Sequence, residues 1–262
     1  MKASNDIKAL IIDMDGVIWR KHHPIGNLQK IFQKIIDKGL KYVFATNNST
    51  ETVGSYLSLL RGNGIPVEEY QVITSATATA EYLKAKFPEG GNIFVVGMEG
   101  LAITLKGYGF YIDSEDAKAV VVGMDPTLTY EKLKTATLLI RSGVPFIGTN
   151  PDKTFPTPEG LVPGAGSMLA AIEVSTDTSP QIIGKPQGTM FLQALQTLGI
   201  QPENALVIGD RLETDIAGGQ AANCKTALVL TGVSTGDMGN AWKPKVDIIA
   251  KDLETLVDQI GA

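Results

Sequence analysis

KALIIDMDG, residues 8–16, decides the fold: four apolar residues, Ala9 to Ile12, run unbroken into Asp13, Met14, Asp15 and Gly16. A continuous rather than alternating apolar run suits a strand covered on both faces, as in a parallel sheet. Similar runs recur at 41–45 (KYVFA), 93–97 (IFVVG), 119–123 (AVVVG), 205–209 (ALVIG) and 226–230 (TALVL). Between them lie segments with helical spacing. In 27–38 (NLQKIFQKIIDK) the residues Leu28, Ile31, Ile35 and Ile36 recur at steps of three and four, and Gly39 follows as a stop. Strand and helix in alternation predict an α/β fold with a Rossmann-like, doubly wound parallel sheet. The middle of the chain carries two strand-helix patterns of its own and a Gly/Pro-rich stretch, TNPDKTFPTPEGLVPGAG. It is expected to form an inserted α/β domain over 81–180, flanked by two parts of a core domain, 1–80 and 181–262.

The 262 residues, 44% of them hydrophobic, suffice for a sizeable core. With 23 basic against 28 acidic residues the net charge is -5, spread along the chain, which argues against nucleic acid as a partner. The single cysteine, Cys224, cannot close an intramolecular disulfide, and no Cys/His cluster has zinc-site spacing. A cytoplasmic location fits best. The N-terminal stretch reads as a strand rather than a signal peptide, and no run of about 18 apolar residues predicts a membrane span.

In an open parallel sheet, ligands bind beyond the carboxyl ends of the strands, so the polar residues immediately after each apolar run are the candidates. Asp13 and Asp15 come first. Two residues apart on extended backbone, they share a face, where their repulsion demands a cation or a shared proton, although Asp-x-Asp-Gly is also a turn pattern. The run Thr46-Asn47-Asn48-Ser49 offers hydroxyls, amides and backbone N–H groups to an anion, although taken alone it reads first as a helix cap at Asn48 or Ser49. Lys185, between Gly184 and Pro186 ahead of an apolar helix at 189–198, is either a pocket cation or a solvated lysine. Asp210 and Asp215 suit a hard cation such as Mg2+, or else a surface turn.

In their order along the chain these segments resemble the haloacid dehalogenase-like hydrolases, whose four motifs are matched here by DMDGV, ATNNS, GKP and GDRLETD. The likeness extends over essentially the whole chain. TNNS about thirty residues after the first motif, GTNPD, PGAG, and IGKP just ahead of GDRLETD are similar to the NagD-like, or nitrophenylphosphatase, branch, which carries a large α/β cap between the second and third motifs.

The resemblance implies a phosphatase in which Asp13 is the nucleophile and carries an aspartyl phosphate, and Asp15 is the general acid and base. An acid at position 15 points to phosphate-ester hydrolysis, since dehalogenases lack it and ion-pumping ATPases carry threonine there. Mg2+ would be held by the Asp13 carboxylate, the Asp15 carbonyl and the Asp210 carboxylate, with Asp215 supporting from behind. Thr46 and Asn47 would bind the phosphoryl oxygens, and Lys185 would neutralise charge on phosphate and on Asp13. Arg211, Glu213 and Thr214, in the loop beyond Asp210, would reach the substrate or form a solvated turn.

Specificity is expected in the cap, where Asn150 and Asp152 either face substrate or fold the domain. Trp19 lines a leaving-group pocket or packs beneath the loop. His22 and His23, beside Lys21, read as a solvated turn. The expected partner is a small phosphorylated metabolite, with neither nucleic acid nor membrane, and an apolar cap face would serve a homodimer as well as closure. Two rivals share the motifs: a phosphotransferase or mutase that passes the aspartyl phosphate to a hydroxyl, and a sensor that binds without turnover.

Overall fold

All six apolar runs are strands, at Ala9–Ile12, Lys41–Thr46, Gly91–Val96, Val120–Val122, Ala205–Gly209 and Lys225–Val229, in a computed structural model that describes residues 6–20, 23–157 and 159–260. The chain divides into two compact units. One comprises Met1–Thr46, Val53–Ile73 and Lys185–Ala262; the other comprises Asn47–Thr52 and Thr74–Gly184.

The first unit is built on a six-stranded sheet in the order Ile248–Ala250, Lys225–Val229, Ala205–Gly209, Ala9–Ile12, Lys41–Thr46, Val72–Thr74. Ala9–Ile12 pairs in parallel with both of its neighbours, and the ladder continues in parallel out to Ile248–Ala250. One neighbour is the next long strand in sequence and the other comes from the far end of the chain, so strand order reverses at Ala9–Ile12. That reversal opens a crevice at the carboxyl end of the strand. Register then fixes which residues meet there. Ile12 lies level with Phe44 and with Ile208, and the N–H of Asp13 donates to the Ile208 carbonyl at 2.9 Å. Asp13, Thr46 and Asp210 are therefore delivered to one edge of the sheet by pairing alone.

The helix expected at 27–38 spans Leu28–Asp37. The Asn27 side chain caps it, accepting from the Lys30 N–H at 3.1 Å, and Gly39 follows the end with φ +68°. Its apolar stripe buries Leu28, Ile31, Phe32 and Ile35; Ile36, counted in the stripe from spacing, is exposed. Phe32 packs edge-on against Tyr42 and tilted against Phe44, with ring centroids 5.1 and 5.5 Å away. Full burial of each such side chain stabilises the fold by about 1.5–3 kcal/mol. The second expected helix spans Thr189–Leu198, buries Met190, Phe191, Ala194, Leu195 and Leu198, and ends at Gly199 with φ +63°. Cys224 is buried and free, and burial pushes its thiol pKa up to about 11.

The second unit has a parallel sheet of its own, in the order Gln181–Ile182, Phe146–Gly148, Val120–Val122, Gly91–Val96, Phe110–Ile112. Val96, Val120, Val122, Ala136, Ile140, Phe146, Leu169 and Ile172 form its core. Residues 47–52, 74–80 and 181–184, assigned from sequence to the flanking parts, group here instead. Local bonds explain it: the Ser75 hydroxyl donates to the Asn47 carbonyl at 2.6 Å, and the Gly184 N–H donates to the Thr149 carbonyl at 2.9 Å. Among the described residues no helix is long and apolar enough to cross a membrane. His23 is exposed in a short strand with Pro24, while His22 lies outside the described residues.

Candidate active site

Lys185 begins the loop that enters the helix Thr189–Leu198, and it is not solvated: only 3% of its side chain is exposed. A buried ammonium requires acceptors for its three protons. It finds Asp13 Oδ1 at 2.5 Å, Asp215 Oδ1 at 2.6 Å and the Ala45 carbonyl at 2.9 Å. Burial alone would lower the Lys185 pKa; the charges of Asp13 and Asp215 outweigh it, and the net shift is upward. Asp13 goes the same way for a different reason. Desolvation raises its carboxyl pKa well above the usual range, Lys185 opposes this, and the negative charges of Asp215 and Asp210 add to it.

Asp210 follows the strand Ala205–Gly209, and its pKa is pushed up to about 6, first by burial and then by the charge of Asp215. Asp215 sits one turn further on. The chain Leu212–Ile216 forms a single wide turn in which the Ile216 N–H donates to the Arg211 carbonyl at 3.2 Å, five residues back. Such π-type turns recur at functional sites because they re-aim one side chain. Here the turn points Asp215 inward, with Oδ1 on Lys185 and Oδ2 accepting the Arg211 N–H at 3.1 Å. Carboxylate oxygens of Asp13, Asp210 and Asp215 all lie within 4.8 Å of one another. Three buried carboxylates against one ammonium leave uncompensated negative charge, and a hard divalent cation with oxygen ligands fits that donor set.

Not every expected residue joins this cluster. Asp15 is half-buried, and its Oδ1 accepts from the Trp19 indole N–H at 3.1 Å. Trp19 is itself buried beneath the loop, not open to a pocket. Thr46 is buried at its strand end and Thr214 is buried in the wide turn; Arg211 is half-buried and Glu213 exposed. Asn47 belongs to the second unit, where its carbonyl accepts from Ser75 Oγ and from Asn150 Nδ2 at 2.7 Å, and its Nδ2 donates to Asp152 Oδ2 at 3.2 Å. Asn150 Oδ1 accepts the Asp152 N–H in turn. Asn150 and Asp152 thus hold Asn47 in place within that unit.

One segment of the site was missed from sequence. After the strand Lys225–Val229, the loop Thr231-Gly232-Val233-Ser234 wraps Asp210. The Val233 N–H donates to Asp210 Oδ2 at 2.7 Å, the Ser234 N–H donates to the Asp210 carbonyl at 3.0 Å, and the Thr231 hydroxyl donates to the Gly16 carbonyl at 2.5 Å. Gly232 and Gly16 are required by close approach: a Cβ on Gly232 would collide with the Asp210 carboxylate, and one on Gly16 would come within 2.6 Å of it. The strand-end rule that pointed to Asp13, Thr46 and Asp210 also finds this loop when it is applied to the apolar run 226–230.

Residues 10–111 match the family described as haloacid dehalogenase-like hydrolase, and residues 182–256 a second family of HAD-like hydrolases. An acid sugar phosphatase of Staphylococcus aureus is 38% identical over 87% of this chain and 88% of its own. Among solved structures, a p-nitrophenyl phosphatase from Archaeoglobus fulgidus superposes with TM-score 0.91 at 33% identity, covering 97% of this chain and 100% of that one. NagD from E. coli K-12 superposes with TM-score 0.86 at 31% identity, covering 95% and 97%. Sequence and fold agree along nearly the full length, and the chain belongs to the haloacid dehalogenase-like hydrolases, in the branch that contains NagD.

Proposed function

We propose that this chain, a phosphatase of the NagD type, hydrolyses the phosphate monoester of a small metabolite through an aspartyl phosphate on Asp13, with Mg2+ as its cofactor, in the cytoplasm. The observation that carries the reading is the buried group of Asp13, Lys185, Asp215 and Asp210 at the point where strand order reverses.

An oxygen of the Asp13 carboxylate attacks phosphorus; the new O–P bond forms as the ester P–O bond breaks. The leaving oxygen takes the proton of the Asp15 carboxyl group. Asp15, now a carboxylate, then accepts a proton from a water molecule whose oxygen attacks the aspartyl phosphate, which releases inorganic phosphate and restores Asp13. Lys185 pins Asp13 Oδ1 in one orientation and offsets negative charge as anion meets anion. Thr46, and by resemblance Asn47, donate to the phosphoryl oxygens. Asp13, Asp210 and the Asp15 carbonyl would hold Mg2+, with Asp215 behind them. When bound, the ion neutralises charge on the nucleophile and the phosphoryl group. Arg211 and Thr214 are the residues beyond Asp210 assigned to the substrate; exposed Glu213 is the weakest of that set. Phosphorylated sugars and aryl phosphates, named for the relatives, are the first substrates to screen.

Steady-state release of nitrophenol from p-nitrophenyl phosphate tests the reading. Activity is expected with Mg2+ and is expected to vanish in EDTA; turnover that persists in excess EDTA rejects the metal assignment.

Gly232→Ala checks the same assignment without replacing a charged residue. The added methyl displaces the Asp210 carboxylate. Loss of such support behind a ligand costs about 10–100-fold in metal affinity. Half-maximal activity should need that much more Mg2+, and the rise in Tm expected of the native chain on binding Mg2+ should require correspondingly higher concentrations. An unchanged Mg2+ titration in a folded variant would contradict it.

A further inference from the structure

The Trp19 indole is 1% exposed, so its N–H must find an acceptor inside the protein. That acceptor is Asp15 Oδ1 at 3.1 Å, a side-chain carboxylate on the same short loop. The ring has little freedom to move. It lies nearly parallel to Tyr56, with an interplanar angle of 7° and centroids 6.5 Å apart. Its backbone carbonyl accepts from the Gly16 N–H at 2.8 Å, and the N–H groups of Val17, Ile18 and Trp19 all converge on the Met14 carbonyl. Met14, Val17 and Ile18 are fully buried around it. The loop from residue 14 to residue 19 is thus wound tightly enough to bring the indole back onto the carboxylate four residues upstream.

We propose that Trp19 is a positioning residue for Asp15, fixing the rotation of its carboxyl group and the oxygen that carries the mobile proton. In a neutral carboxyl group one oxygen accepts and the other bears hydrogen. An N–H donor on Oδ1 makes that oxygen the acceptor, so Oδ2 holds the proton and delivers it to the leaving oxygen. Without the indole N–H the carboxyl group rotates and protonates less often in line. The inference rests on the reading of Asp15 as general acid, and its test keeps the two apart.

Rate constants kcat/KM for a series of phosphate monoesters, from alkyl to p-nitrophenyl to dinitrophenyl, report only steps up to departure of the leaving group. An alkyl oxide needs a proton in order to leave; dinitrophenolate does not. General acid catalysis is worth roughly 10²–10⁴-fold, so partial misalignment in Trp19→Phe should cost about tenfold on the alkyl ester and less than about threefold on the dinitrophenyl ester. Asp15→Asn should show the same trend more steeply. β-(3-Benzothienyl)alanine at position 19 keeps the indole shape with sulfur in place of N–H, and serves if Trp19→Phe does not fold; it should give the same leaving-group dependence. Equal losses on every ester, or none, in the position 19 variants, while Asp15→Asn remains leaving-group dependent, would overturn the role of Trp19. If Asp15→Asn itself shows no leaving-group dependence, the reading of Asp15 fails, and the inference falls with it.

Discussion

Asp13→Asn should lower turnover of p-nitrophenyl phosphate by roughly 10⁴-fold or more, the scale on which removal of one member of a covalent catalytic unit is felt. An amide oxygen is a poor nucleophile and carries no charge to offset phosphorus. The same substitution should leave the metal-free fold no less stable than the native one. Asp13 is one of three carboxylates buried around one ammonium, and its raised pKa records, after burial and against the pull of Lys185, how Asp215 and Asp210 repel it. In the variant Lys185 keeps Asp215 and the Ala45 carbonyl, while one uncompensated charge is gone. Turnover together with thermal unfolding in EDTA measures both halves. Residual activity above about one per cent of native would remove Asp13 from its role as nucleophile, and a large drop in Tm would mean that Asp13 stabilises the fold rather than straining it.

Lys185→Met should do the opposite to stability. With a side chain 3% exposed against partners at 10% and 2%, Lys185 forms a buried ion pair with each aspartate. Breaking a buried pair by deleting one partner costs about 3–5 kcal/mol, because the charge left behind is neither hydrated nor matched. Catalysis should fall by at least about a hundredfold, the usual worth of one electrostatic stabiliser at a transition state. The sign with pH comes from the raised pKa. A lysine whose folded pKa exceeds its unfolded one contributes its full stability below the unfolded value and loses it only as pH climbs through the folded one. The lysine's own titration therefore leaves the deficit of Lys185→Met, measured by urea unfolding, level up to about pH 9, while protonation of the raised Asp13 and Asp210 carboxyl groups should shrink it as pH falls. Mg2+ should narrow it in part by supplying positive charge to the same carboxylates. A variant as stable as native would show that the aspartates do not depend on Lys185.

The core of this picture was legible because one rule did most of the work. Strands covered on both faces write continuous apolar runs, and the residues after them stand at the ligand-binding edge. Asp13, Thr46 and Asp210 were found that way. The strands Val72–Thr74, Phe110–Ile112, Phe146–Gly148 and Ile248–Ala250 were not, since their apolar runs are shorter than the AVVVG around Val120–Val122 or broken by proline. The helix Ser75–Lys86 left no apolar stripe to find either: it buries Ser75, Thr77 and Thr79 alongside Ala76, Ala78 and Ala80, so polarity gave no face. Taken alone, Lys185 read more readily as solvated than as buried, because its three acceptors lie 172, 140 and 30 positions away. The contact between Asn47 and Asn150, 103 positions apart, is of the same kind. Spacing reports local order, and these bonds are not local.

The six residues Asn47–Thr52 matter for anyone who cuts and splices this chain. They are remote in sequence from the rest of the second unit, yet they are built into it. A Cβ on Gly100 would collide with the Thr50 carbonyl, Ser49 Oγ lies 3.3 Å from Thr149 Oγ1, and Asn150 and Asp152 are both bonded to Asn47. A graft of Thr74–Gly184 alone from one relative onto another would arrive with a slot cut for a foreign hexapeptide. Recombination between members of the family therefore has four seams rather than two, and the second unit can be transplanted cleanly only when the donor's short segment travels with the long one.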